Sequence, residues 1–259
     1  MFLLLFIFGL FIGSFLNVLV DRIPRLETVI KGRSHCEFCK KELKWFDLIP
    51  VLSFLSTRGK CRYCRKTLSL LYPTIEITTG AMFALTYLFV IFNFQFSIFN
   101  LSYYLFVISS FIVIFFTDLK SGIIPDRIIL SAIIVSFIYS LFINPQSFIV
   151  NLICGIGAFL FFIIISVVFS LITKKDAMGG GDIKLAFLLG FVLGFPAIII
   201  SLYLAFLTGA ATGIILIIWR KKSFHKATLP FGPFLVLGAI ISLFFGNFIL
   251  QKALFFLGY

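Results

Sequence analysis

Two aspartates in this 259-residue chain stand at the ends of long apolar runs. Asp118 closes one run, and Asp182 opens another directly after the three glycines at 179–181. A carboxylate at the edge of a membrane segment is costly unless it has a partner or a function. Two carboxylates that meet share one proton, because like charges disfavour double ionisation. One then acts as a base on water and the other as an acid toward a carbonyl, as in aspartic proteases.

Four cysteines form a second candidate site. Cys36 and Cys39 make one CxxC pair, Cys61 and Cys64 make another, and 21 residues separate the pairs. Two such turns can supply four thiolates to a tetrahedral zinc ion. Four thiolates leave no open coordination position, so we predict structural rather than catalytic zinc. Four unmetallated structural or redox cysteines are the alternative, and His35 beside Cys36 is an alternative ligand, although a solvated turn residue is the simpler interpretation.

The composition is that of a membrane protein, since the chain is 61% hydrophobic and 12% charged, with a mean hydropathy of +1.16. Apolar stretches of about 18 residues or more recur along it, which indicates a polytopic helical fold. We predict an all-α protein with about eight transmembrane helices and a small cytosolic insert. The predicted spans are 2–20, 75–94, 100–118, 123–143, 148–172, 182–195, 197–219 and 229–250.

The segment 21–74 interrupts this pattern. It holds 12 of the 22 lysines and arginines and four of the five cysteines. Because it is too small to rely on its own hydrophobic core, a metal would stabilise it. The predicted organisation has three parts: a first transmembrane helix (1–20), a zinc-binding insert (21–74) and a seven-helix membrane domain (75–259).

The positions of the positive charges predict the orientation. The segments 21–74, 119–122, 173–181 and 220–228, with their immediate flanks, hold every lysine and arginine except Lys252. By the positive-inside rule these segments face the cytoplasm, and both termini face outward. The net charge of +12 then meets an anionic lipid leaflet, so we expect membrane lipid and no nucleic acid as a partner. Stable disulfides are not expected in that compartment.

This topology places Asp118 and Asp182 at the same depth on the cytoplasmic side. Asp118 lies near a helix C-terminus, where partial negative charge disfavours ionisation, and Asp182 opens a helix, where partial positive charge favours it. The hypothesis is that Asp118 is the protonated acid and Asp182 the ionised base. Lys184 adds to the positive field at Asp182, and Lys120 is equally near Asp118.

These residues carry a resemblance to a known family. The glycines with Asp182 and Lys184 resemble the GxGD motif of type IV prepilin peptidases, and Asp118 with 124–126 resembles that family's other catalytic segment. The two CxxC pairs resemble its cytosolic insert. Further similar segments lie at 13–18, 21–24, 72–76 and 230–233, so the resemblance covers nearly the whole chain in order.

The resemblance implies a bifunctional enzyme of the bacterial cytoplasmic (inner) membrane. Asp118 and Asp182, on the cytoplasmic side, would cleave the basic leader from prepilins or pseudopilins. The cysteine-containing part would then methylate the new N-terminal amine from S-adenosylmethionine, although the sequence contains no glycine-rich loop for that cofactor. Asn17, Arg22 and Glu76 are candidates for the methylation site or, equally, buried hydrogen-bonding anchors for the insert.

Three other functions fit parts of the pattern. A transporter also uses glycine-broken helices and intramembrane acids, but here both acids lie at the interface and no inverted repeat is evident. A membrane methyltransferase without protease activity would leave both aspartates unexplained. A zinc-dependent scaffold of a secretion system, whose insert docks an ATPase, needs an activity assay to exclude it.

Overall fold

A computed structural model of the chain describes residues 1–29, 32–93, 97–174, 179–219 and 230–256. Within these ranges the structure is helical, with isolated β-bridges and no strand, which confirms the all-α prediction. The chain divides into two compact units, Met1–Thr117 and Asp118–Tyr259. The helices are α1 (Phe2–Arg22), α2 (Leu52–Ser56), α3 (Leu71–Asn93), α4 (Ile98–Ser121), α5 (Asp126–Phe142), α6 (Pro145–Thr173), α7 (Gly180–Leu193), α8 (Ala197–Trp219) and α9 (Gly232–Phe256), with a 3-10 helix at Trp45–Leu48.

Each predicted span corresponds to one helix, but two of these helices are short. Within the described ranges, α1, α3, α4, α6, α8 and α9 are long and apolar enough to cross a membrane. Helix α5 has 17 residues and α7 has 14. At 1.5 Å per residue α7 is about 21 Å long, shorter than the roughly 30 Å hydrocarbon core. The basic segments 175–178 and 220–229, used above for orientation, lie outside the described residues.

Helices α1 and α3 of the first unit pack closely through glycines. A Cβ added at Gly9 would lie 2.7 Å from the Cα of Gly80, and one added at Gly13 would lie 2.7 Å from the Cα of Glu76. Small residues one turn apart allow this backbone approach between membrane helices. The contact brings the polar end of α1 beside the beginning of α3, and these are the two points where the insert leaves and rejoins the helices.

In the second unit, the short helix α7 is held on several sides. It contacts α5, α6, α8 and α9. Helix α7 contacts α6 through Gly190, where an added Cβ would lie 2.5 Å from the carbonyl oxygen of Cys154. Phe191 stacks on Phe137 of α5 with ring centroids 5.9 Å apart. Because Leu185, Leu188 and Leu189 of α7 are fully buried, this packing fixes the direction of its first turn.

Candidate functional site

Asp118 lies in the last turn of α4, and its side chain is only 4% exposed. The helix ends because Gly122 takes a left-handed conformation, with φ of +66°. The backbone N–H of Gly122 donates to the carbonyl oxygen of Asp118 at 2.8 Å. Glycine suits this position because other residues carry a steric cost there. The turn that follows directs Ile124 back toward the second unit's interior before α5 begins at Asp126.

Asp182 is the third residue of α7, and Gly179 is the N-cap of that helix. The backbone N–H of Asp182 donates to the carbonyl oxygen of Gly179 at 3.1 Å. A Cβ at Gly179 would lie 3.4 Å from Oδ2 of Asp182, so the carboxylate turns back over the first turn. The first N–H groups of a helix lack the usual partner four residues earlier, and the partial positive charge there stabilises a negative charge. This is the location on which the hypothesis of an ionised Asp182 depends.

Two glycines bring separate segments of the second unit against Ile124. A Cβ at Gly181 would lie 2.9 Å from the Cβ of Ile124, whereas one at Gly180 would have nothing within 4 Å. At Gly232 a Cβ would collide with Oδ2 of Asp118 and would lie 3.0 Å from Cδ1 of Ile124. Only residues without a side chain therefore allow α7 to begin this close to Ile124 and α9 to begin this close to the carboxylate of Asp118.

The structure places the two predicted catalytic aspartates in one site. Gly181, directly before Asp182, and Gly232, against Oδ2 of Asp118, both lie against Ile124. Oδ2 of Asp118 and Oδ1 of Asp182 are both buried, and neither has a hydrogen-bond partner within the described residues. Buried polar atoms are nearly always hydrogen-bonded in proteins. Two such oxygens are suited to holding a proton and a reacting group from outside the chain.

Lys184 does not point to the aspartate pair. Its Nζ forms a salt bridge with Oδ1 of Asp126 at 2.8 Å, and both side chains are exposed, at 53% and 66%. The expected contribution of Lys184 to the field at Asp182 is therefore replaced by a contact between the first turns of α7 and α5. Exposed pairs of this kind contribute about 0–1 kcal/mol.

The four predicted metal ligands also meet. The Sγ atoms of Cys36, Cys39, Cys61 and Cys64 all lie within 4.8 Å of one another. The Cys36 and Cys64 sulfurs are 3.9 Å apart, and a tetrahedral zinc site with bonds of 2.3 Å requires about 3.8 Å. Burial raises the pKa of the Cys61 thiol, but hydrogen bonds from the backbones of Cys64 and Tyr63 outweigh it and lower that pKa to about 7. Against a backbone hydrogen bond that lowers it, burial and the neighbouring thiols raise the pKa of Cys64 to about 11, so the spacing of the four sulfurs, rather than the state of one thiol, is what fits zinc.

Each CxxC pair lies in the same kind of tight turn. In 36–41 the N–H of the first residue donates to the carbonyl oxygen of the last at 3.0 Å, and in 61–66 the same bond measures 2.8 Å. An isolated bridge flanks each turn. The sequence signal is a repeat that our sequence analysis missed: cysteine, any residue, an aromatic residue, cysteine, a basic residue and lysine.

Arg22 and Glu76 anchor the insert. The guanidinium of Arg22 donates to the carbonyl oxygens of Thr28 and Arg33, both at 3.1 Å. The carboxylate of Glu76 accepts the backbone N–H of Val51 at 2.7 Å. Val51 has a φ of +60°, which is unfavourable for a β-branched residue, so Glu76 holds a strained turn. These contacts support the anchoring interpretation of both residues.

Asn17 lines a cavity rather than anchoring the insert. Its Nδ2 donates to the carbonyl oxygen of Tyr72 at 3.2 Å, and the Tyr72 hydroxyl donates to Oδ2 of Asp21 at 3.0 Å. All three residues line a cavity of about 470 Å³ between the ends of α1 and α3 and the insert. Neither this cavity nor the role of Gly232 follows from the sequence, although the proline–phenylalanine–glycine–proline run at 230–233 is a signal for a tight turn before a helix.

Most of the chain is similar to known proteins. The bacterial peptidase A24 N-terminal domain matches residues 7–90, and the type IV leader peptidase family matches residues 105–214. A Bacillus subtilis protein named prepilin leader peptidase/N-methyltransferase is 32% identical over 96% of this chain and 96% of its own. Proteins of the same name from Burkholderia pseudomallei and Aeromonas hydrophila are each 31% identical, over 93% and 95% of this chain and 84% and 91% of theirs. No solved structure is significantly similar to the chain.

Proposed function

Since the chain belongs to the type IV leader peptidase family, we propose that it cleaves the leader peptide of prepilins or pseudopilins and N-methylates the new N-terminal residue. It is a multi-pass membrane enzyme with peptidase and methyltransferase activities. The observation that supports the peptidase assignment is that Asp118 and Asp182, 64 residues apart in sequence, adjoin glycines that lie against the same residue, Ile124, and each has a buried oxygen that no described residue hydrogen-bonds.

In the proposed cleavage step, the ionised carboxylate of Asp182 takes a proton from water. The water oxygen forms a bond to the scissile carbonyl carbon, while protonated Asp118 donates its proton to the carbonyl oxygen. The C–N bond then breaks as this oxygen returns its proton to Asp118, and the departing amine takes the proton that Asp182 accepted from water. The location of Asp182 in the first turn of α7 supports its ionised state, and that of Asp118 at the end of α4 supports its protonated state. The infrared band of a protonated carboxyl group should then disappear in Asp118→Asn and persist in Asp182→Asn; the reverse would mean that the roles are exchanged.

In the proposed division of labour, residues 1–20 anchor the insert, 21–74 support methylation, and 75–259 carry the peptidase. Cys36, Cys39, Cys61 and Cys64 hold a structural zinc ion. S-adenosylmethionine, when bound, supplies an electrophilic methyl group on a sulfonium centre. We place the enzyme in the bacterial inner membrane, with the insert and the aspartates on the cytoplasmic side. Asp21, Tyr72 and Asn17 are then reached from the same compartment as the methyl donor.

The test is incubation of the purified full-length protein with a prepilin, followed by mass spectrometry of the product. With S-adenosylmethionine the mature chain should carry one added methyl group at its N-terminus, and without it the same chain should appear unmethylated. An intact leader under both conditions would refute the peptidase assignment. Cleavage without methylation in the presence of the donor would refute only the second activity.

A further inference from the structure

We propose that the 470 Å³ cavity of the first unit is the binding site for the methyl donor, S-adenosylmethionine, with Asn17 as one of its polar contacts. This inference rests on the proposed methyltransferase function and names the site for it. The cavity lies wholly within the first unit, between the ends of α1 and α3 and the insert. Its size falls in the range of about 300–1,000 Å³ that is typical of small-molecule sites.

The first argument is an unsatisfied atom. Asn17 is 7% exposed, and its Oδ1 is buried with no hydrogen-bond partner within the described residues. Its Nδ2 is held by the carbonyl oxygen of Tyr72, so the amide is fixed with its oxygen as the remaining acceptor. A buried acceptor without a donor costs about 1–3 kcal/mol. A ligand with an amino group, such as an adenine or an α-amino group, supplies the missing donor.

The second argument is the chemistry of the remaining lining. Aromatic rings from Phe38, Phe54 and Tyr72 face the cavity, and aromatic faces can stack on an adenine and attract a cation such as a sulfonium. Five carboxylates also line it, against four arginine and lysine side chains. Two of the five pair with arginines of the wall, and the other three can accept hydrogen bonds from hydroxyl groups of a ligand. The five carboxylates belong to Asp21, Glu27, Glu37, Asp47 and Glu76.

The basic residues of the lining are largely committed to protein partners. Arg25 pairs with Glu37 at 2.6 Å, and Arg62 pairs with Asp47 at 2.8 Å. Arg22 donates to backbone carbonyl oxygens. These arginines therefore hold the wall of the cavity together rather than offering a site for an anion. The resulting surface favours a ligand that combines a flat heterocycle, amino and hydroxyl donors and a positive charge, and S-adenosylmethionine combines all of them.

The test uses a matched pair of substitutions on α2. Ser53 lines the cavity, and Ser56 lies three residues further along the same helix, is exposed and does not line it. We expect the full-length wild-type protein to bind S-adenosylhomocysteine, the product form of the donor, at one site by isothermal titration calorimetry. Ser53→Trp should weaken this binding at least about tenfold, because the indole fills the space. Ser56→Trp should bind as the wild type does.

A second pair tests the polar contact. Asn17→Leu should weaken binding roughly tenfold by removing a buried acceptor. Thr86→Val removes a buried hydroxyl from α3, which donates to the Met82 carbonyl oxygen at 2.7 Å and lies away from the cavity; it should bind as the wild type does. Zinc content, measured on every variant, shows whether the insert remains folded. If Ser53→Trp or Asn17→Leu has lost its zinc, Ser53→Leu, a smaller cavity-filling change, takes its place in the binding measurements.

Photo-crosslinking locates the binding site of S-adenosylmethionine independently. Ultraviolet irradiation of the wild-type protein with radiolabelled S-adenosylmethionine should label peptides within residues 14–76, and a label confined to residues 118–259 would overturn the assignment. If the wild type methylates a cleaved substrate while Ser53→Trp, with its zinc retained, binds normally, the site is wrong and the function stands. If the wild type neither binds nor methylates, the methyltransferase function itself fails.

Discussion

The insert of the first unit and the aspartate pair of the second hold polar groups beside apolar helices in different ways. In the insert, Arg22 and Glu76 are buried but bonded to backbone groups, and four clustered thiols provide a metal site. In the aspartate pair, glycines bring backbones close to the carboxylates, and one oxygen of each carboxylate is left without a partner.

Because of this difference, the groups of the insert act mainly on stability and the aspartate pair acts mainly on catalysis. The insert has little apolar core, so we expect its folding to depend on the hydrogen-bonded anchors and on the proposed zinc ion. The aspartate pair lies on helices that are packed without it, since the neighbouring residues of α7 are fully buried apolar side chains. We therefore expect damage to the insert to appear as loss of folding, and damage to the aspartates to appear as loss of catalysis in a folded protein.

The largest expected effect is on catalysis. Asp118→Asn or Asp182→Asn should reduce leader cleavage by at least about 10³-fold, because each removes the acid or the base of the reaction. Zinc content and methylation of a pre-cleaved substrate should stay close to wild type. Cleavage rates, with zinc analysis on the same preparation, measure both sides of the comparison. Substantial cleavage by either single variant would contradict the dyad.

The insert should fail in the opposite manner. Cys36→Ser or Cys61→Ser should release zinc, because structural zinc contributes about 10–16 kcal/mol to the folding of small zinc domains and a missing thiolate forfeits much of it. Methylation should be lost before cleavage is. Elemental analysis and limited proteolysis of 21–74 measure the effect. A wild-type protein that contains no zinc would refute the metal assignment.

The three consecutive glycines beside Asp182 allow a test of whether close packing positions the aspartate pair. Gly181→Ala should reduce cleavage by roughly 10- to 100-fold, because the new Cβ displaces Ile124 and with it the geometry of the pair. Gly180→Ala, one residue earlier, should change it by less than about twofold, because nothing lies within 4 Å of that Cβ. Equal losses in the two variants would mean that the glycines serve flexibility rather than close packing.

The smallest effect is expected at the exposed salt bridge. Lys184→Met or Asp126→Asn should change cleavage by less than about fivefold, as expected for a pair worth about 0–1 kcal/mol. A double-mutant cycle on the thermal unfolding temperature and on the cleavage rate measures the coupling. A loss in Lys184→Met comparable to that in Asp182→Asn would assign Lys184 to the catalytic site itself.

Several features could be predicted from particular residues. The apolar runs predicted the helices, because a segment in lipid must satisfy its backbone hydrogen bonds internally. Gly9 and Gly13 are small residues one turn apart, a pattern typical of close helix packing, but only the structure shows that the partner is α3. The length of α5 was overestimated, because hydropathy extends across Pro125, after which the helix actually begins. The span predicted for α7 had the right length but was placed two residues too late.

The sequence by itself determined which residue types are available: two carboxylates at the ends of apolar runs and four cysteines in paired turns. These features are local, since a turn or an apolar run is set by residues close together in the chain. Only the tertiary structure decided that Ile124 lies between Gly181 and Gly232, that Lys184 pairs with Asp126, and that Asn17 faces a cavity. Such contacts join residues tens to more than a hundred positions apart, and they depend on how closely the helix backbones approach, which side-chain packing sets to within a few tenths of an ångström.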